Sequence, residues 1–546
     1  MKTRDRAVIL VILSAIESYL FLHFRPEWRP LGGIGRLVER FFIANLVLWV
    51  GYAVLIYPYF VSHLRKLPSV PGGYFLTGNL LEVRLKQPQG EAVRQWMEKV
   101  PNEGLIHFRE ILGRDALIPT NGAMLKTILH DNNYDYHKPS RLVDIIRLII
   151  GDGLISVEGD MHKFQRKHLL PSFQVKAIRD LYPMFWAKSC ELTHRLKEAS
   201  KEPEIEFGVW CTRVTLDIIG IAGFGRDFES LKNPDDPFVK DYQDLLEPAL
   251  MKTVFFTMAL FLPKAILMNI PFWHIPKNLS RISGTLNEFA YNMCKDRRAE
   301  LNDLKLNADD REQRKDILSL LIKSNDFTDR ELSYQVLTMM GAGHETTSST
   351  LSWCTYLLAQ NPEYQNRLRA EVRKHLPSPD NIATENITAA AIDNLPLLHG
   401  ITQETLRLYP TVPVTLRVPI KETILGDSKL SAGTMIMISP WAINRNTEIW
   451  GKGAQEFIPE RWIDEDGRIN NSGGATNNYS QMTFLHGPRS CIGQGFSRSE
   501  LKCLLAALVW KYNMQLTRDK DSYYPAGVIT TKPANGMWIK FTEIAD

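Results

Sequence analysis

One cysteine in this chain sits in a setting suited to chemistry. Cys491 lies near the end of Phe484-Leu485-His486-Gly487-Pro488-Arg489-Ser490-Cys491-Ile492-Gly493, whose glycines and proline deny the run regular structure. A helical pattern takes up just afterwards, from Gln494 to Tyr512. A thiol at a helix N-terminus is favoured as thiolate by the helix dipole and by free backbone N–H groups, and a metal cation favours it further. The pattern therefore offers a thiolate ligand. The competing reading is the ordinary state of an isolated cysteine, a small buried hydrophobe.

A second segment, Ala342-Gly343-His344-Glu345-Thr346-Thr347, lies inside a long helical pattern. That helix opens at Thr328-Asp329-Arg330-Glu331, a capping box, and is expected to continue through Met340 to about Leu358. Glycine in mid-helix is destabilising, so Gly343 asks for a reason. One reason is room for a small molecule against a locally opened turn, with Thr346 back-bonding or donating to it and Glu345 passing protons inward from water. The other is helix packing through small residues, with an exposed Glu-Thr face. A third segment pairs Glu404 with Arg407 on the expected helix Ile401–Leu408, with Pro459-Glu460-Arg461-Trp462 downstream. A buried Arg fork can hold such a carboxylate together with carbonyls of a distant loop, whereas an exposed i, i+3 pair merely decorates a helix.

Together these segments resemble the cytochrome P450 family. Phe484, Gly487, Arg489, Cys491 and Gly493 meet its F-x-x-G-x-R-x-C-x-G loop, and Ala342 to Thr347 meet A-G-x-(D/E)-T-(T/S). Glu404 and Arg407 meet E-x-x-R, and Pro459 to Trp462 meet P-E-R-(F/W), with similarity running from the hinge near Pro71 to Thr531-Lys532-Pro533. The resemblance implies a mostly α fold with small β-sheets, a triangular helical prism enclosing haem b between the Thr346 helix and the helix after Cys491. It implies that Cys491 is the axial iron ligand, and that Gly487 and Gly493 let the loop backbone approach the macrocycle. Gly343 would let the long helix pass close over the iron, and Thr346 and Glu345 would deliver protons. Glu404, Arg407 and Arg461 would lock the cysteine loop. Arg489, Arg417 and Arg166, with His162, resemble the contacts to the haem propionates. His162 stands where many members have Trp, and Asn444-Arg445 stands where His-Arg is common, a departure that suggests no chemistry of its own.

The implied reaction inserts one atom of O2 into a lipophilic substrate and reduces the other to water, with thiolate donation favouring O–O cleavage. No G-x-G-x-x-G fingerprint is present, so electrons are expected from a separate NADPH-cytochrome P450 reductase, with cytochrome b5 as a further candidate donor. By family analogy the pocket is lined by Met339, Met340, Ala342, Val412 to Leu416, residues 141–153 and residues 526–530, most of them apolar. The double hydrophobic start and the stretch Gly493 to Ser497 look most like a fungal microsomal member, which suggests a tailoring step in terpenoid or polyketide metabolism. Hydroxylation of a fatty acid, sterol or aromatic compound is the alternative. Relatives that rearrange peroxides or dehydrate tend to lack the acid–Thr pair present here as Glu345-Thr346, and a haem sensor needs no proton relay.

The remaining sequence supports one catalytic body on a membrane anchor. The 546 residues are 44% hydrophobic and 23% charged, with both signs interspersed and a net charge of +4, so nothing asks for nucleic acid. Six irregularly spaced cysteines do not make a disulfide framework, and neither C-x-x-C nor H-E-x-x-H occurs. Residues 1–66 read as the anchor, with spans expected at 7–24 and 41–62, each long enough to cross a bilayer. Leu67 to Gly73 reads as a stiff Pro/Gly hinge, and residues 74–546 as the haem domain. A two-span hairpin would return the body to the cytosolic face of the endoplasmic reticulum, leaving the sequons at Asn278, Asn386, Asn470 and Asn478 unused. The apolar run Val254 to Leu262, continued by Ala265 to Trp273, either dips into lipid or forms buried helices.

Overall fold

The computed structural model describes residues 3–28, 30, 33–74, 76–233, 250–259, 262–270, 274–303, 315–381, 387–527 and 529–545. Two helices form the N-terminal end, α1 (Thr3–Phe24) and α2 (Gly33–Gly51), and α2 continues to Val61 as a wider π-type turn containing Pro58. Proline has no N–H to give an i→i−4 ladder, so the helix widens there, and the Ser62 N–H closes on the Tyr57 carbonyl at 2.8 Å. The second apolar helix thus starts at Gly33 and not at Phe41, because Arg36, Glu39 and Arg40 occupy its first turns without interrupting its ladder. Gly33–Val61 is long and apolar enough to cross a membrane, while Val8–Phe24 is a shorter apolar stretch beside it. The two helices run antiparallel. Asn45 Nδ2 donates to Glu17 Oε2 at 2.5 Å and to Ser14 Oγ at 3.2 Å, so the polar groups of this apolar pair satisfy one another.

The Pro/Gly run beyond is stitched to the body. The His107 N–H donates to the Pro68 carbonyl at 2.8 Å and the Val70 N–H to the His107 carbonyl at 2.9 Å. Ser62 Oγ donates to Asp115 Oδ2 at 2.6 Å, and the Arg109 guanidinium lies 4.0 Å over the Tyr59 ring. Strands β1 (Leu105–Arg109), β2 (Asp115–Pro119), β3 (Tyr136–His137), β4 (Thr415–Pro419) and β5 (Met435–Ile438) make one sheet in the order β1-β2-β5-β4-β3. Its pairs are antiparallel except β2 with β5.

The helices that position the site are α3 (Ser140–Ile150), α4 (Gly159–Leu169), α5 (Tyr182–Ala199), α6 (Phe207–Phe224), α7 (Asp329–Gln360), α8 (Pro396–Leu408) and α9 (Gln494–Lys511). The capping box opens α7 as expected, with Thr328 Oγ accepting the Glu331 N–H at 3.3 Å and Glu331 Oε2 accepting the Thr328 N–H at 2.9 Å. Every residue from Thr347 to Leu358 is buried, which makes α7 a core helix, and α6 is likewise mostly buried although apolar enough to span a membrane. Trp186 of α5, Ile218 of α6, Trp353 of α7 and Leu504 of α9 share one core. Two short strands, β6 (Pro525–Ala526) and β7 (Lys532–Pro533), pair antiparallel near the C-terminus.

Part of the 254–273 run packs inward. Phe255, Ala259 and Leu267 join Ile145 of α3 in a small core, while Val254 and Ile266 remain exposed. Residues 260, 261 and 271–273, the sequon at Asn386 and the pocket candidate Val528 lie outside the described residues.

Candidate functional site

The cysteine loop is shaped by two left-handed residues, Leu485 at φ 55° and Gly487 at φ 79°. A side chain on Gly487 would also overlap the Leu129 carbonyl, so packing against residues 129–130 explains that glycine. The loop closes with the Cys491 N–H donating to the Phe484 carbonyl at 2.9 Å, and Gly493 is the N-cap of α9. A Cβ on Gly493 would stand 4.0 Å from Cys491 Sγ. All six cysteines fall within the described residues, and Cys491 alone among them is exposed. It faces an internal space: burial pushes its thiol up, while the Gly493 N–H and the guanidinium groups of Arg166 and Arg498 pull it down.

Cations converge from four parts of the chain. Arg489 Nη1 donates to Glu158 Oε2 at 2.6 Å, and its other nitrogen reaches the carbonyls of Asn133 and Tyr136. Lys138 Nζ lies 3.3 Å from Glu158 Oε1. Arg417, on β4, donates to Thr415 Oγ at 3.0 Å and the Leu416 carbonyl at 2.8 Å, and its buried Nε has no hydrogen-bond partner among the described residues. Arg166 of α4 donates to the Ser490 carbonyl at 2.7 Å. Burial and the neighbouring Arg417 and Arg489 leave Lys138 at about 8 despite Glu158, and burial brings Arg417 down to about 10. Burial, with Lys138, Arg166 and Arg489 adding to it, holds His162 near 4; its Nδ1 contacts Tyr134 Oη at 3.2 Å. Burial works to raise Glu158, but Lys138, its N–H and Arg489 hold the carboxyl below its usual range. Positive charge thus exceeds what Glu158 balances, and a buried excess of that kind fits a ligand bearing carboxylates. A cysteine sulfur for iron and these cations for two propionates make a donor set suited to haem b.

On α7 the two candidate groups turn to different neighbours. Thr346 Oγ donates to the Ala342 carbonyl at 2.9 Å. Glu345 is buried with its Oε1 3.5 Å from Lys532 Nζ; burial raises its carboxyl, against the pull of Lys532 and of the Thr530 hydroxyl. Of the two reasons offered for Gly343, its contacts among the described residues speak for packing. A Cβ there would meet Ile219 Cδ1 and Cγ1 of α6 at 3.0 Å, so the missing side chain admits Ile219, and close packing of α6 on α7 is what this glycine provides. Among the expected pocket residues, Met340 is buried in the core and Ala342 is half-buried. Side chains on Gly151 and Gly153 would overlap Tyr334 and Thr338, which seats the end of α3 on α7.

Glu404, Arg407 and Arg461 lie together. Arg407 holds Glu404 with both fork nitrogens, Nε at 2.8 Å and Nη2 at 2.7 Å, and both side chains are fully buried. The fork also reaches the carbonyls of Asn444 at 2.7 Å, Ala454 at 2.6 Å and Glu456 at 3.1 Å. Trp462 Nε1 donates to Glu404 Oε2 at 2.9 Å, and Arg461 Nε lies 3.4 Å from Glu404 Oε1 while its Nη2 donates to the Gly453 carbonyl at 2.8 Å. The sequence suggested no chemistry for Asn444, yet its Oδ1 accepts the Met482 N–H at 2.7 Å and its Nδ2 donates to Thr483 Oγ at 2.9 Å and the Arg407 carbonyl at 3.0 Å. Asn444 therefore joins the Glu404–Arg407 pair to the loop that carries Cys491. Lys138, Glu158 and Lys532 were missed too, because each is placed by tertiary contact with no local pattern around it. The departure from His at position 444 was the one available signal.

Comparison with known proteins covers the same part of the chain. The family described as Cytochrome P450 matches residues 68–539 of the chain. Cytochrome P450 monooxygenase sphH of Aspergillus fumigatus is 34% identical over 538 residues, covering 96% of each chain. Cytochrome P450 monooxygenase ptmK of Penicillium ochrochloron is 33% identical over 521 residues, 93% of this chain and 100% of that protein, and buaD of Petromyces alliaceus is 34% identical over 92% of this chain and 93% of its own.

Proposed function

This chain belongs to the cytochrome P450 family, and from that membership we propose that Cys491 is the axial ligand of haem b, with Lys138, Arg417, Arg489, Arg166 and His162 facing the propionates. The protein is a haem-thiolate monooxygenase that uses O2, a lipophilic substrate and electrons supplied from NADPH through a redox partner. When bound, haem b supplies the one-electron and dioxygen chemistry. The chain supplies the setting. Arg489, Lys138 and Arg417 bind carboxylates; the Glu404–Arg407 pair and Asn444 fix the cysteine loop; Glu345 and the Thr346 hydroxyl hold and pass protons on the α7 side.

The observation that carries this reading is Cys491 itself: accessible inside the protein, before the N-cap of α9, with buried cations in excess nearby. The reduced protein under carbon monoxide should give the red-shifted Soret band of a thiolate complex, and Cys491→Ser should lose it. Retention of that band in Cys491→Ser would overturn the assignment.

The anchor and the relatives support a finer setting. Gly33–Val61 and its antiparallel partner α1 support a hairpin in the endoplasmic reticulum membrane, with the body in the cytosol beside an NADPH-cytochrome P450 reductase. The fungal monooxygenases among the relatives support a tailoring step, for which terpenoids and polyketides are the substrate classes to test. Substrate-induced Soret shifts with terpenoid and polyketide panels, and none with fatty acids, would bear this out; the reverse pattern would replace it.

A further inference from the structure

Glu158 stands at the N-cap of α4, yet its side chain does not cap that helix. A carboxylate in that position ordinarily accepts N–H groups of its own first turn. Here it turns instead to the cation cluster: Oε1 accepts the Lys138 N–H at 2.9 Å and lies 3.3 Å from Lys138 Nζ, while Oε2 accepts Arg489 Nη1 at 2.6 Å. Little of this cluster reaches solvent, with side-chain exposures of 18% for Lys138, 14% for Glu158 and 5% for Arg489. The reading above leaves Glu158 without a role.

The ordinary meaning of such contacts is structural, a carboxylate tying two segments together. The balance of charge points further. Lys138, Arg489 and Arg417 form one group of cations that raise one another's energy, and Glu158 is the carboxylate that opposes them. One negative charge against three positive leaves two, and two carboxylates are what haem b brings. Arg166 is matched separately, since it donates to the Ser490 carbonyl at 2.7 Å and pulls on the Cys491 thiol. Burial keeps His162 uncharged near neutral pH.

We propose that Glu158 is a positioning residue that sets the reduction potential of the haem site. Acting through Arg489 and Lys138, its carboxylate holds both cations in place and cancels one of the three positive charges, so that the site with two propionates in it carries no surplus. One electron from the redox partner then reduces ferric iron to ferrous, with no bond of the chain made or broken. Buried charges are weakly screened, so an extra positive charge there favours the reduced form and a missing one the oxidised form. The inference rests on the assignment of haem to this site, and the test separates the two.

The full-length holoprotein, without substrate, is titrated potentiometrically, with the Soret band reporting ferric and ferrous forms and the carbon monoxide band recorded in parallel. Glu158→Gln keeps the shape and removes the charge, so the ratio of ferrous to ferric protein at the wild-type midpoint should rise about tenfold, which is 59 mV for a one-electron couple. Glu158→Asp keeps the charge and should lie nearer wild type than Glu158→Gln. Lys138→Met removes a cation and should move the midpoint the other way, which a merely structural disturbance would not do. Should Glu158→Gln fail to retain haem, Lys138→Met carries the test alone, and a midpoint at or above wild type overturns the inference. A wild-type midpoint in Glu158→Gln with its carbon monoxide band intact, or shifts of the same sign in both variants, would show Glu158 to be structural only. If the wild-type protein itself lacks the red-shifted band, the Cys491 assignment fails and takes the inference with it.

Discussion

Asn444 accepts the Met482 N–H on its Oδ1 at 2.7 Å, while its own carbonyl takes Arg407 Nη1 at the same distance. A single residue thus transmits the position of a buried ion pair to the strand of loop that leads to Cys491. Asn444→Ala would leave buried donors and acceptors unpaired at Met482, Thr483 and Arg407. A loss of about 1–3 kcal/mol is expected for such a group. Thermal melts should show it as a lower Tm, and the ratio of Soret to protein absorbance should fall; an unchanged ratio would mean that the loop holds its shape alone.

Arg407→Ala removes one partner of a buried pair and leaves Glu404 charged and desolvated, at a cost of about 3–5 kcal/mol. The expected product is protein without the red-shifted carbon monoxide band. Arg407→Lys cannot reproduce the fork that holds Glu404 and three carbonyls, so it should be nearly as damaging. A fully loaded, wild-type-stable Arg407→Lys protein would contradict the lock.

Among the described residues the Thr346 hydroxyl bonds only within its own helix turn, to the Ala342 carbonyl, so Thr346→Ala should leave stability within about 0.5 kcal/mol of wild type. Its effect should appear in coupling, with more peroxide per NADPH oxidised. Unchanged coupling would count against its place in the relay.

Gly343→Ala tests which reason for that glycine is correct. Helix propensity favours Ala by about 1 kcal/mol, but the new methyl meets Ile219 at 3.0 Å and that side chain must yield. The melt should therefore show little net change and the carbon monoxide spectrum none, because the methyl points to α6. A spectrum altered in Gly343→Ala would return this glycine to the oxygen side.

Glu500 of α9 is buried, and burial pushes its carboxyl well above the usual range against a modest pull from the Thr347 hydroxyl. The unfolded chain ionises this group near pH 4.3, whereas the folded chain keeps its proton to higher pH. Its contribution is therefore complete below about pH 4.3 and declines as pH rises toward the folded value. Glu500→Gln carries no such proton, so its Tm advantage over wild type should widen from pH 5 to pH 8. Melting curves that stay parallel across that range would rule this out.

What the sequence determined by itself were the features written in contiguous residues. The Cys491 loop, the capping box at Thr328, the extent of α9 and the i, i+3 pairing of Glu404 with Arg407 depend on backbone rules and spacing that operate within a few residues. Tertiary structure alone decided the rest. Only packing of α6 on α7 shows that Gly343 makes room for Ile219; only the fold brings Lys138 and Glu158 to Arg489, Asn444 to Met482 and Lys532 to Glu345. The reason is physical: a local motif fixes which group is offered, while burial and charge around it depend on segments that reach it only when the chain is folded.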